Sequence, residues 1–199
     1  NNINLDIKEG ETVGVLGTNG AGKSTLLKII IGQMSPTEGS ITTKGRIIPL
    51  LGLSSGFNAE LTGLENIYIN AAIFGLSRKK AESLVQAISD FSEIGDFFDT
   101  PVKRYSKGMK ARLGISIAVN LDPKILIVDE VLAVGDLKFR AKCMAKMADL
   151  CQQGMTLLFV SHNPSRIRML CDRAIILRNG RLAADGQTEP ILEKYISED

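Results

Sequence analysis

The chain has 199 residues, with 24 basic and 22 acidic side chains and a formal net charge of +2. That length suits one domain, or one domain carrying a small lobe, and it can bury enough surface to fold without disulfides or a structural metal. Hydrophobic residues at 44% and charged residues at 23% exclude a disordered or low-complexity chain. No apolar run approaches a membrane span, and a near-neutral balance without a basic stripe gives no electrostatic footing for nucleic acid.

In chain order, the sequence opens on Asn1 rather than Met and shows no signal-peptide pattern. The alternation of Ile3, Leu5 and Ile7 reads as a strand already inside a sheet, so a preceding N-terminal segment is expected. Residues 12–17 (TVGVLG) read as a short apolar strand that runs into glycines and then a helix over about 22–33. Strands broken by Gly45 are expected over 40–50. Helical spacing follows at Leu64, Ile67, Tyr68 and Ala71, then at Ala81, Leu84, Val85 and Ile88, and a further helix is predicted from Ser106 to Leu121. Ile125 to Val128 is a continuous apolar run, as expected of a strand covered on both faces.

A helix over about 138–152 should place Phe139, Cys143, Met147, Leu150 and Cys151 on one face. Residues 155–161 read as another buried strand, with a short helix after Pro164. AIILRNGRLAADG reads as a hairpin, because Asn179-Gly180 supplies the two positive-φ positions of a type I′ turn. The cysteines, Cys143, Cys151 and Cys171, cannot all pair and lack metal-ligand spacing, so they read as reduced core thiols in a cytosolic protein.

Strands alternating with helices predict an α/β fold: a mainly parallel sheet with helices on both faces and an antiparallel hairpin at its edge. The helical stretch at 61–122 interrupts the alternation and is expected as an inserted helical lobe. Residues 1–60 and 123–199 then make the core.

Chemistry concentrates in three places. Residues 17–25 read GTNGAGKST, between a predicted strand and a predicted helix. Gly17, Gly20 and Gly22 let the backbone turn its N–H groups towards a polyphosphate, with Thr18, Asn19, Ala21 and Thr25 completing the loop. Lys23 reaches the β- and γ-phosphates, and the Ser24 hydroxyl can ligate Mg²⁺. Spacing alone also fits a glycine turn before a helix. Residues 125–130 read ILIVDE, which puts Asp129 at the C-terminal edge of a buried parallel strand, where doubly wound sheets bind ligands. Asp129 can hold Mg²⁺ through water and Glu130 can polarise an attacking water, unless the acidic pair merely ends a strand. His162, the single histidine, directly follows the strand ending at Ser161. It reads as a γ-phosphate sensor or water orienter, against the alternative of a structural histidine.

With these pieces in order, the chain resembles the nucleotide-binding subunit of ABC transporters, a P-loop NTPase family, over essentially its whole length. GTNGAGKST is similar to the family's Walker A loop and ILIVDE to Walker B followed by the catalytic glutamate. YSKGMK, residues 105–110, occupies the place of the signature LSGGQ, carrying Ser106 and Gly108, with Lys107 and Met109 departing from its usual letters. AVGD, 133–136, resembles the D-loop with Asp136 its acid, and SHN, 161–163, the switch-histidine motif. Read from its residues alone, Ser106 is a helix N-cap, and its helix is as well explained by ordinary capping as by anion binding.

The resemblance implies an ATPase that uses ATP and Mg²⁺ and works as a homodimer, each subunit supplying half of two ATP sites. It implies a polytopic permease dimer and a peripheral place on the cytoplasmic face of the plasma membrane; near residues 57–75, Phe57, Leu61, Tyr68, Ile69 and Phe74 either pack the lobe's own core or line a groove where a helix of that permease docks. Neither nucleic acid nor the transported polymer is expected to bind this domain. GFNAELTGLENIYINAAIFGLSR and VDEVLAVGD are similar to ATPases that export lipid-linked surface polysaccharides. FSEIGDFFDTPVKRYSKGMKARLGISI looks closest to the teichoic-acid branch; the alternatives are O-antigen or capsule export, and a soluble non-transport ABC ATPase. Two departures stand out. PLLGLSSGF lacks the glutamine usual at that place, and no aromatic residue precedes Phe57 to stack on adenine, so either that platform lies in the preceding segment or adenine is bound weakly.

Overall fold

The computed structural model describes residues 3–51, 56–129 and 136–198. Six strands form one sheet in the order β2-β3-β4-β1-β5-β6: β1 is Thr12–Leu16, β2 Ile47–Leu50, β3 Ile125–Val128, β4 Thr156–Val160, β5 Arg173–Arg178 and β6 Arg181–Gln187. β1 runs parallel to β4 and β5, β3 runs parallel to β4, and β6 returns antiparallel to β5. β1 and β4 are buried at every position. Such continuous apolar strands need helices on both faces, which is why their sequences lack alternation.

The helices are α1 (Lys23–Ile30), α2 (Gly63–Ile73), α3 (Arg78–Ser92), α4 (Lys107–Asn120), α5 (Leu137–Gln152), α6 (Pro164–Leu170) and α7 (Thr188–Glu198), with short 3₁₀ turns at Gly95–Asp99 and Val102–Arg104. Local chemistry sets several starts. Thr62 caps α2 in a reciprocal capping box with Glu65, Ser77 caps α3, Ser106 caps α4 and Asn163 caps α6 ahead of Pro164.

Contacts divide the chain into two compact units: Asn1–Pro49 with Lys124–Glu130 and Ala148–Asp199, and Leu50–Pro123 with Val131–Met147. The first holds most of the sheet. The second holds α2, α3 and α4, which pack on one another, and the start of α5. The lobe expected at 61–122 lies inside this second unit, whose bounds are wider.

Four expectations need correction. Residues 3–8 form no strand; the Asp6 carbonyl is taken by the Arg173 guanidinium at 2.8 Å, so alternation there reflects two environments and no ladder. Residues 40–44 are exposed and form no strand, and β2 begins only at Ile47, past Gly45. The β-branched run Ile41-Thr42-Thr43 has the propensity without the burial that gives propensity its value. The first helix ends at Ile30, ahead of the predicted 33. No element is predicted after the hairpin, yet Thr188–Glu198 is a helix that buries Ile191, Leu192 and Tyr195. Pro190 lies in its first turn, where a missing N–H costs nothing.

Cys143 and Cys171 are buried, Cys151 is half-buried, and all are free thiols. Burial pushes Cys143 up to about 12 and Cys151 up to about 11, and raises Cys171 as well. Such thiols stay protonated and unreactive.

Candidate functional site

The glycine-rich loop leaves β1 at Leu16 and enters α1 at Lys23. Gly17 packs so closely that a Cβ there would sit 2.5 Å from the Leu177 carbonyl oxygen, so only glycine fits without movement. Gly22 is the N-cap of α1 with φ 102, and no side chain caps the helix. That contrasts with α2, α3, α4 and α6, whose first turns are occupied by a side-chain oxygen of their own. The first turn of α1 contains no acid, so no negative side chain of its own offsets the positive end of the helix dipole.

Lys23 Nζ donates to the Gly17 carbonyl at 2.6 Å and the Thr18 carbonyl at 3.0 Å. The loop thus holds its cation over its own turn. Thr18, Asn19 and Gly20 are exposed at the crest, Ala21 is buried, and Ser24 and Thr25 are exposed on the first turn of α1.

Register brings the other residues to the same edge. Val15 of β1 is level with Val160 of β4, and Val128 of β3 is level with Phe159. Because these strands are parallel, Asp129, His162 and the glycine loop all lie past C-terminal strand ends. With about 4.8 Å between neighbours, Asp129 starts two strand positions, about 10 Å, from the loop's own strand. Asp129 is half-buried and His162 exposed. Ser161 is buried and its Oγ accepts from the Asn163 N–H at 3.1 Å, while Asn163 caps α6. His162 is therefore held between two residues fixed by hydrogen bonds. Glu130 lies outside the described residues, as do the first three residues of AVGD.

Among the described residues no group of three or more His, Cys, Asp or Glu side chains could hold a metal alone. Among the described residues, the Ser24 hydroxyl and the Asp129 carboxylate at this edge fit Mg²⁺ completed by phosphate oxygens and water.

The remaining predicted residues belong to the second unit. Ser106 is exposed and its Oγ accepts from the Met109 N–H at 3.1 Å; Lys107 is exposed and Gly108 half-buried. Asp136 Oδ1 accepts from the Phe139 N–H at 2.9 Å, and its Oδ2 pairs with Arg112 Nη2 at 2.5 Å. The Phe139 N–H, with the Arg112 guanidinium, holds the Asp136 carboxyl below the usual carboxylate range. Arg112 also reaches Glu93 at 3.0 Å and lies over the Phe139 ring at 4.4 Å, and Lys142 reaches Glu93 at 2.8 Å. Sequence reading missed Arg112, because its partners lie just past α3 and ahead of α5.

Residues 57–75 flank a groove of about 420 Å³ lined by Leu61, Tyr68, Ile69, Ala72 and Leu76 among others. Phe57, Leu61, Tyr68, Ile69 and Phe74 are all half-buried, and Ile73 is 65% exposed. Asn66, also missed, shapes this region. Fully buried, its amide donates to the carbonyls of Asn58, Leu61 and Thr62 and accepts from the Asn58 N–H.

Residues 1–133 match the family model described as ABC transporter. The chain is 48% identical to an O-antigen export system ATP-binding protein of Klebsiella pneumoniae, over 97% of this chain and 78% of that one. It is 45% identical to a teichoic acids export ATP-binding protein of Shouchella clausii, over 97% of this chain and 53% of that longer protein. Among solved structures it is similar to a dimeric ATP-binding cassette in a post-hydrolysis state with ADP and phosphate, at 25% identity and TM-score 0.81, covering 94% of this chain and 90% of that one.

Proposed function

This chain belongs to the ABC transporter family, and we propose that it is the ATP-hydrolysing subunit of an exporter of lipid-linked surface polymer. The observation that carries this reading is the meeting, at one sheet edge, of an uncapped helix behind a glycine loop, a carboxylate and a histidine. The loop N–H groups and Lys23 bind the triphosphate. Ser24 and Asp129 would hold Mg²⁺, which when bound supplies positive charge against the β- and γ-phosphates. Glu130 takes the proton of the attacking water, and His162 orients that water towards the γ-phosphate.

ATP would join two copies of the chain. The cassette similar in fold is dimeric, and the Ser106 end of α4 is the surface that a second copy would bring to the γ-phosphate, with Asp136 behind it. The groove beside α2 receives a short apolar helix of a polytopic permease. That assembly places the subunit at the cytoplasmic face of the plasma membrane, peripherally. Closure on ATP carries the groove inward, and hydrolysis removes the bridging charge.

For the polymer we read teichoic acid from the stretch 91–117. The O-antigen reading is favoured by a different observation, 48% identity to the Klebsiella relative against 45% to the teichoic one. Complementation of strains lacking each exporter ATPase separates the two, since only the matching permease should be driven. For the chemistry, Glu130→Gln should keep ATP binding and lose about 10²–10⁴-fold in turnover. Near-normal hydrolysis by that variant would remove the base assignment, and purification without any polytopic membrane protein would remove the exporter reading.

A further inference from the structure

The β5–β6 turn touches the glycine loop. Asn179 and Gly180 have φ 48 and 72, the two positive values of a type I′ turn. The Gly180 N–H donates to the Ala21 carbonyl at 2.9 Å. A Cβ on Gly22 would stand 3.4 Å from Gly180 Cα, and one on Gly17 would strike the Leu177 carbonyl. The hairpin is thus in backbone contact with the loop at its beginning and its end.

We propose that Gly180 is a positioning residue of the nucleotide site, a role that rests on the ATP-binding reading above. The reason lies in the planarity of the peptide. In a trans peptide the C=O and the following N–H point in opposite directions. Pinning the Ala21 carbonyl to the hairpin therefore turns the Gly22 N–H away from the hairpin and fixes its direction. That N–H is one of those the loop must aim at a phosphate, and Gly22 has no side chain with which to set its own orientation. Asn179 serves by holding the turn type. A type I or II turn would re-aim the Gly180 N–H and release the Ala21 carbonyl.

The test uses the whole chain. Asn179→Pro forces φ to about −65° and a different turn. One net hydrogen bond is worth about 0.5–1.5 kcal/mol, so affinity for ATP and for ADP should each fall about three- to tenfold. Because both nucleotides carry the phosphates that the loop binds, kcat at saturating ATP should stay as in the parent, the signature of uniform binding. Gly154→Ala is the control: its φ of 89 carries comparable backbone strain and its Cβ meets nothing within 4 Å. It should lose stability and keep nucleotide affinity. Should Asn179→Pro not fold, replacing the Gly180 amide by an ester removes the N–H donor and leaves every side chain in place, with the same expected loss. Parental affinity in the turn variant or the ester, or an equal loss in Gly154→Ala, would overturn the proposal. A parent chain that binds neither nucleotide would sink the ATP-binding reading itself and the proposal with it.

Discussion

Two regions bear the predicted chemistry, and they are held together differently. The glycine-loop edge is fixed by backbone: Gly17 against a carbonyl and Gly180 donating to Ala21. The region around Asp136 is fixed by charged side chains just past α3, on α4 and at the start of α5, with Arg112 joining Asp136, Glu93 and the Phe139 ring and Lys142 adding a second contact to Glu93. Backbone contacts at van der Waals distance tolerate no added atom and ignore salt and pH. Charged contacts at a half-exposed surface tolerate substitution but answer to both. Rigid geometry suits a site that must aim N–H groups.

The difference is sharpest at Gly17. A methyl there meets backbone 2.5 Å away, so Gly17→Ala should cost about 3 kcal/mol in urea unfolding, with the same loss at low and high salt. A loss below about 1 kcal/mol would show that the loop yields, and would break the comparison on its rigid side. Lys23→Ala comes next. It removes a charge-assisted donor rather than a packing contact, so stability should change little while ATP affinity falls about ten- to a hundredfold by calorimetric titration. Equal ATP binding by parent and variant would detach the lysine from the phosphates.

Legibility follows the same division. The loop, Asp129 and His162 could be read from spacing because each sits where a buried strand ends, and strand ends show in sequence as the end of an apolar run. The sequence shows the Asn179-Gly180 turn but not the contact of Gly180 with Ala21, since nothing local links positions so far apart in the chain. Arg112 carried no signal at all; its two acids lie on either side of it in sequence, and only the packing of α3, α4 and the start of α5 brings them together. Asn66 is fully buried, and apolar periodicity does not mark a polar residue as part of a core. The alternation at Ile3–Ile7 misled because alternation reports two faces, while a strand also needs a ladder partner.

On the adjustable side, Arg112→Met should lower stability by about 1 kcal/mol, a value discounted for the exposure of both acids. The loss should shrink in about 1 M salt, where screening has already weakened the parent's pairs. Combining it with Asp136→Asn, which keeps the cap on α5 and loses the charge, should add little to either alone. Full additivity would mean that the two side chains do not act as one contact.

The smallest effect expected is that of pH. The Lys142 ammonium and then the Arg112 guanidinium hold Glu93 below its ordinary 4.5, and the Phe139 N–H and then Arg112 hold Asp136 below its ordinary 3.8. Both acids bind protons more weakly folded than unfolded. Their contribution is therefore complete above the ordinary carboxylate range and is lost only as pH falls through the lower folded values. Between about pH 5 and pH 8 these two groups should add no pH dependence. Below about pH 4 the protection of the Phe139 amide against hydrogen exchange, which reports the Asp136 cap, should decline before that of the Gly180 amide. The Gly180 bond runs between backbone groups that do not titrate, so its protection should persist until the sheet itself unfolds. Simultaneous loss of both would mean that the two regions melt as one cooperative body, and the contrast between rigid and adjustable contacts would then have no thermodynamic meaning.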